Sequence, residues 1–184
     1  MKLSTALTIK QRIDEAKASY KASDNISKYI KEGELPLLVD EVQAAFEDVL
    51  NTLIIDTDND NNSRDTARRL AKMYVNELMA GRYQPRPKVT AFPNTGHDRF
   101  EGMLTVKAEL VSMCSHHHQP VKGIAIIGLI PTGEVIGLSK YVRIAQWCAR
   151  RGQLQEELCN QIAKEIMTST DTENVGVYIE ATHG

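Results

Sequence analysis

Two apolar segments joined by a polar turn determine the fold of the C-terminal half: MLTVKAELVSM at 103–113, CSHHHQP at 114–120 and VKGIAIIGLI at 121–130. Both apolar segments are rich in β-branched and large apolar residues, so each is predicted to be a strand. The next four residues, Pro131–Glu134, are typical of a hairpin turn, and they predict a short strand at Val135–Ile136.

Helical patterns follow these strands. One helix is predicted from about Ser139 to Arg151, ended by Gly152. A second helix carries one apolar stripe, made of Leu154, Leu158, Ile162 and Ile166. A last strand is predicted at 175–181, with His183 just after it. Because the strands come in hairpins or flank the helix pair, the predicted class is α+β with a mainly antiparallel sheet.

The first eighty residues are predicted to be helical. The stripes that indicate the first two helices are Ile9, Ile13, Ala16 and Tyr20, and then Val42, Ala45, Phe46, Val49, Leu50 and Leu53. A third helix is predicted to begin near Asp65 or Thr66 and stop at Gly81, burying Leu70, Met73, Tyr74 and Leu78. Three prolines between Tyr83 and Gly96 predict a connector. We therefore divide the chain into a helical region, 1–82, and a second domain, 83–184.

The composition argues against several classes of protein, namely non-specific nucleic-acid binders, membrane proteins and secreted proteins. With 22 basic and 24 acidic residues, the net charge is −2, which argues against non-specific binding to nucleic acid or membrane surfaces. No stretch approaches the roughly 18 apolar residues of a transmembrane helix, and Met1–Lys10 lacks the apolar block of a signal peptide. Three cysteines fit a reducing compartment. We expect a cytoplasmic protein.

The turn between the first two strands is the strongest candidate for chemistry. Cys114 and His117 have the C-x-x-H spacing of a transition-metal site. Residues at i and i+3 of a straight strand face opposite ways, so a shared metal requires a turn between them. His116 is then available for proton transfer near neutral pH. A strand-end thiol beside surface histidines is the alternative interpretation.

A third protein ligand is not evident from spacing. Cys148 and Cys159 stand at helical core positions, where free cysteine commonly behaves as a small hydrophobic residue. His183 is a candidate ligand or acid–base group, and a plain terminal histidine is the alternative.

Two helix starts carry groups suited to a nucleotide. Ser139, Lys140 and Arg143 supply a hydroxyl, an ammonium and a guanidinium at a helix N-terminus, a combination that suits phosphate. The alternative is a cap with solvated charges, which is the interpretation we give to Arg150 and Arg151. Gln155 and Glu156 can donate to and accept from a purine edge, although glutamate in a first helical turn is common for dipole reasons alone.

Taken together, five blocks resemble the GTP cyclohydrolase I family and occur in the family's order. They are DTARRLAKMY at 65–74, SMCSHH at 112–117, IGLSKYVRI at 136–144, ARRGQLQEEL at 149–158 and VGVYIEATH at 175–183. The resemblance implies a tunnelling fold, in which an antiparallel sheet is backed by two helices, here with an N-terminal helical extension. It also implies assembly into a ring, usually a decamer of two pentamers, with active sites between subunits.

The resemblance also implies roles for individual residues. Cys114 and His117 match zinc ligands, and His116 and His183 match histidines that transfer protons. The positions that match substrate contacts are Leu138, Ser139, Lys140 and Arg143 near the triphosphate, Arg69 from a neighbouring subunit, and Gln155 and Glu156 at the guanine. The implied activity is zinc-dependent opening of the guanine imidazole ring of GTP, with formate release and rearrangement to 7,8-dihydroneopterin triphosphate.

The chain departs from the family pattern at three places. Ser115 replaces a glutamate and Ala67 replaces a proline, and neither matches a ligand or an acid. The family's third zinc ligand is a cysteine two residues after the histidine matched by His183, so it is expected just beyond Gly184. We therefore expect the chain to be part of a longer protein.

Two rival functions share the implied fold. A nitrile reductase would use a cysteine nucleophile and a nicotinamide cofactor, and it needs no Cys-x-His-His cluster. A nucleotide-binding ring protein with an incomplete zinc site would bind GTP without turnover.

Overall fold

The computed structural model describes residues 4–97 and 99–183. The chain forms two compact units, one ending at Pro85 and the other beginning at Arg86. The outer ends of the two predicted regions, Met1 and Gly184, lie outside the described residues. Within the described ranges, no helix is both long and apolar enough to cross a membrane.

The first unit is helical. Its elements are α1 Thr5–Glu15, a 3₁₀ turn Ser27–Tyr29, α2 Glu34–Thr52, α3 Thr66–Lys72, a π-helical segment Met73–Leu78 and α4 Ala80–Tyr83. Gly33, with φ +80°, precedes α2 as its N-cap, and Pro36 lies in the first turn, where a missing N–H costs no helical hydrogen bond.

The first helix is shorter than its predicted stripe. It ends at Glu15 because Lys17 adopts a left-handed conformation with φ +50°, and the N–H of Ala18 then donates to Ile13 O at 3.1 Å. Tyr20 therefore lies outside the helix, and its predicted place in the stripe was wrong.

The buried face of the other helices also differs from the prediction. Small side chains, Ala67, Ala71 and Val75, take the buried face of the third helical stretch, and the four larger predicted residues are only half-buried. On α2, Val49 and Leu53 are 50% and 64% exposed.

The third helical stretch does not stop at Gly81. Gly81 lies inside α4, and the Asn25 side chain donates to the carbonyl oxygens of Gly81 at 2.8 Å and Gln84 at 2.7 Å. These bonds satisfy carbonyls at the end of the stretch, so the chain remains helical to Tyr83.

The second unit is built on a four-stranded sheet. Its strands are β2 Leu104–Cys114, β3 Pro120–Leu129, β5 Gly152–Gln153 and β6 Val175–His183, in the order β5-β2-β3-β6. The β2–β3 and β3–β6 pairs are antiparallel, and β5 pairs parallel to β2. Two helices, α5 Leu138–Ala149 and α6 Gln155–Thr170, pack on this sheet. The predicted α+β class with a mainly antiparallel sheet is confirmed.

One core joins the sheet to the two helices. It contains inward-facing residues of the strands, such as Ala108, Ala125 and Ile179, and buried helical residues such as Ile144 and Ile162. The apolar residues that alternate along the strands therefore pack against the apolar stripes of the two helices in a single layer.

A second, two-stranded sheet corrects the predicted hairpin. β4 Glu134–Ile136 pairs with β1 Ala91–Pro93, inside the predicted connector, and not with β3. The buried Asn94 fixes this arrangement, since its N–H donates to Gly133 O at 2.8 Å and its side-chain amide donates to Phe100 O at 2.9 Å.

The end of α5 also differs from the prediction. The helix stops at Ala149, two residues before Arg151. Arg151 is not a solvated charge, because it is only 5% exposed, stacks 4.1 Å from the centroid of the Trp147 ring and donates to Gln161 Oε1 at 3.1 Å.

Candidate active site

A tight turn follows the last residue of β2. The N–H of Cys114 donates to Gln119 O at 3.0 Å, and the N–H of His118 donates to Cys114 O at 3.0 Å. His118 has φ +54°, a left-handed conformation that lets the chain reverse into β3. The turn that a shared Cys114–His117 metal site requires is therefore present.

The Cys114 thiol receives three hydrogen bonds that favour its charged form. The largest effect comes from the His183 side chain, followed by the backbone N–H groups of His117 and His116, and together they lower the pKa of Cys114 to about 7. Burial has the opposite effect on the other two thiols: it raises the pKa of Cys148 to about 12 and also raises the pKa of Cys159. Cys114 is therefore the cysteine best suited to act as a thiolate.

Cys114 opens onto a cavity of about 250 Å³ between the sheet and the start of α6. Four of the candidate site residues line it: Cys114, His116, Gln155 and His183. Gln155 is the first residue of α6, and its side chain donates to Ile179 O at 2.9 Å, which ties the helix start to β6. These four residues thus bring a thiol, two imidazoles and an amide to the cavity.

Three neighbouring strands supply the floor of the cavity. Strand register aligns Leu110, Gly123 and Ala181 in one row across the sheet. The next row is Ser112, Val121 and His183, and all six residues line the cavity. Sequence reasoning did not identify this floor, because it follows from register and not from local spacing.

Gln153 is a further buried cavity residue that the sequence reasoning left without a role. It is directly opposite Cys114 in the β2–β5 pair and is 4% exposed. Its side-chain amide donates to Cys148 O at 2.6 Å, so it closes the C-terminus of α5 next to the thiol.

Other predicted residues lie outside this cavity. His117 and Glu156 are not among the described residues that line it, although the His117 ring lies 6.3 Å from that of His116, centroid to centroid. The predicted phosphate group, Leu138, Ser139, Lys140 and Arg143, occupies the first turns of α5, with Leu138, Ser139 and Arg143 exposed. Arg69 belongs to the first unit, where it is exposed and pairs with Asp65 at 3.6 Å.

Comparison with known proteins assigns the family. The family model of GTP cyclohydrolase I matches residues 42–184. The chain belongs to the GTP cyclohydrolase I family. The resemblance drawn from the five sequence blocks is therefore confirmed, and the match begins upstream of those blocks, inside α2.

Curated relatives carry the same name. GTP cyclohydrolase 1 of Aeromonas salmonicida (strain A449) is 39% identical over 146 residues, which cover 78% of this chain and 66% of the relative. GTP cyclohydrolase 1 of Yersinia pseudotuberculosis serotype O:1b (strain IP 31758) is 41% identical over 144 residues, covering 77% and 64%. The chain thus spans slightly less than two thirds of the length of these GTP cyclohydrolases.

The donor set of this GTP cyclohydrolase family member fits a zinc ion in part. A thiol with a pKa of about 7 and the neighbouring His117 imidazole are suitable zinc donors. Within residues 4–97 and 99–183, no group of three or more histidine, cysteine or acidic side chains is arranged to hold a metal ion.

Proposed function

We propose that this chain is a GTP cyclohydrolase: it catalyses hydrolytic opening of the guanine imidazole ring of GTP, with release of formate and formation of 7,8-dihydroneopterin triphosphate. Family membership supports the proposal. The observation that carries it is the hydrogen-bonded pair of Cys114 and His183 in one cavity with His116 and Gln155.

Zinc is the cofactor in this proposal. Cys114 and His117 would hold the ion. When bound, zinc lowers the pKa of a water ligand to about 7 and so supplies a nucleophile at neutral pH. The Cys114 thiol suits this role because its hydrogen bonds already favour the thiolate.

The two histidines of the cavity are the proposed proton-transfer groups. His183 or His116 donates a proton to N7 of the purine, which makes C8 more electrophilic. Addition of water at C8 opens the imidazole ring, and a second water releases C8 as formate. The ribose carbons then rearrange, and condensation of the sugar carbonyl with the freed amino group closes the pterin ring with loss of water.

Other residues bind the two ends of GTP. Gln155 and Glu156, in the first turn of α6, bind the guanine edge. The Leu138–Arg143 turn of α5 binds the triphosphate, where a helix N-terminus and two cations favour anions. Binding energy from this remote group orients the reacting ring.

An active site between subunits accounts for the distance between these groups. α5 has twelve residues, so it is about 18 Å long. Its C-terminal end, where Gln153 closes the helix, is the one near Cys114. The triphosphate site of one subunit would therefore serve the cavity of another. Arg69 would come from a neighbouring subunit as well.

The sheet has surfaces for such an assembly. Strand β6 is an edge strand, and its Tyr178 is 60% exposed beside Ile126 of β3, which is 43% exposed. Exposed apolar side chains next to a sheet edge suit pairing with another copy. We propose a tunnelling fold that assembles into a ring, as a decamer of two pentamers.

The test is a formate assay with GTP and zinc, coupled to detection of a fluorescent pterin after oxidation. His183→Ala should lower kcat by about a hundredfold or more, the usual contribution of an acid–base group. His97→Ala, at an exposed histidine before the second strand, should leave kcat unchanged. Binding of GTP and zinc by the wild-type protein without formate would reject the enzyme and identify a nucleotide-binding protein.

A further inference from the structure

Gly123, in the centre of the cavity floor, has no room for a side chain. A Cβ at this position would overlap the carbonyl oxygen of Glu180 and would lie 2.6 Å from Cβ and 2.7 Å from Cα of Ala181. Two of these three atoms belong to the backbone of β6. An added methyl group would therefore push the strand away, because no side-chain rotation can relieve the overlap.

The part of β6 that an added methyl group would displace lies two residues before His183. Gly123 pairs with Ala181, Lys122 with Thr182, and Val121 with His183. The Thr182 hydroxyl also donates to Lys122 O at 3.3 Å, which holds the last residues of β6 against β3. A shift at Ala181 is therefore transmitted to His183 over two residues.

The His183 side chain must reach across a neighbouring strand to contact Cys114. It hydrogen-bonds the thiol of Cys114, which belongs to β2, on the other side of β3. Alternate strands of a sheet are about 10 Å apart, and a hydrogen bond weakens within a few tenths of an ångström of extra length. Close approach of β6 to β3 shortens the span that the two side chains must bridge.

We propose that Gly123 is a positioning residue: the absence of its side chain lets β6 approach β3 closely enough for His183 to reach Cys114 and the reacting ring. The inference rests on the proposed function for its kinetic consequence only. The effect on the geometry of His183 holds for the protein without zinc or substrate.

A second glycine provides a matched control. Gly176 lies in the same strand, β6, and pairs with Gly128 of β3, near the opposite end of the strand pair from the cavity. A Cβ at Gly176 would meet nothing within 4 Å. Gly176→Ala therefore adds the same methyl group to the same pair of strands without displacing β6.

Two readouts distinguish positioning from a general loss of structure. The first is the ring resonances of His183 in NMR spectra of the zinc-free protein, assigned with His183→Ala. The second is the separation of kcat from KM for GTP in the zinc-loaded protein. Gly123→Ala should shift the His183 resonances and lower kcat about a hundredfold, the cost of a misplacement near 1 Å, while KM changes little. Gly176→Ala should leave both readouts at wild-type values.

The double variant Gly123→Ala/Ala181→Gly keeps the test valid if the single variant does not fold. It removes the Cβ of Ala181 but leaves the overlap with Glu180 O, so kcat should remain below wild type and the His183 resonances should still be shifted. Unmoved His183 resonances in a folded Gly123→Ala or double variant would overturn the inference. A wild-type protein that releases no formate would instead reject the proposed function, and the resonances would still decide the role of Gly123.

Discussion

The side chains of His183 and Cys114 are hydrogen-bonded although β3 separates the strands that carry them. The bond links the last described residue of the chain to the last residue of β2, almost seventy residues away in the sequence. Its effect on the thiol is the largest of the causes that lower the pKa of Cys114. A group proposed for proton transfer thus touches a group proposed for zinc binding.

Replacing each of the two partners should nevertheless have a different effect on zinc content. Cys114→Ala removes a proposed zinc ligand, so zinc content after dialysis should fall close to zero. His183→Ala removes the proton donor but no proposed ligand, so zinc should remain near the wild-type level while formate release is lost. Cys159→Ala, at a half-buried helical thiol, is the control and should retain zinc. Full zinc content in Cys114→Ala would contradict the ligand assignment.

Lys140→Ala tests the start of α5 as a triphosphate site. Loss of one charge-assisted bond to phosphate costs about 1.5–3 kcal/mol, so KM for GTP should rise roughly tenfold to a hundredfold, with unchanged zinc content. Lys164→Ala, at an exposed position of α6, should leave KM as it is. Equal losses of GTP affinity and zinc in Lys140→Ala would show that the assignment is wrong.

Sequence patterns predicted the elements whose signals are local. The strand segments on either side of Cys114 and the stripe from Leu158 to Ile166 predicted β2, β3 and α6 closely, because alternating or helical burial repeats within a few residues. The five blocks then gave the family, and the cavity contains Cys114, His116 and His183 as a group.

Features that depend on distant partners were missed. β4 pairs with β1 more than forty residues earlier, so a local turn signal suggested the wrong hairpin. Gly123 acquires its meaning only from its register with Ala181. Arg151 is buried because Trp147 and Gln161, on two different helices, provide a ring and an amide for it. Propensity and spacing carry no information on such tertiary pairings.

Gln153→Leu should destabilise the second unit. The Gln153 amide is the donor to Cys148 O at 2.6 Å at the buried end of α5, and leucine would leave that carbonyl without this donor. An unsatisfied buried acceptor costs about 1–3 kcal/mol, which should appear as a lower urea midpoint in Trp147 fluorescence. Gln146→Leu is the control, because its donor bond to Glu109 O is exposed and 3.3 Å long. A wild-type midpoint for Gln153→Leu would contradict the capping role.

The ion pair of Arg12 and Glu34 should make the stability of the first unit depend on pH in the acid range. Their side chains pair at 2.6 Å, and the hydrogen bond with Arg12 lowers the pKa of Glu34 to about 2 from an ordinary value of 4.5. A carboxyl with a depressed pKa stabilises the folded state fully above its unfolded pKa and loses that contribution as the pH falls through the folded one. Hydrogen exchange of α1 and α2 amides should therefore show wild type more protected than Glu34→Gln at pH 6, with the difference disappearing between about pH 4.5 and 2. Glu32→Gln, at an exposed carboxylate, is the control. A constant difference across that range would show that the ion pair does not stabilise the unit.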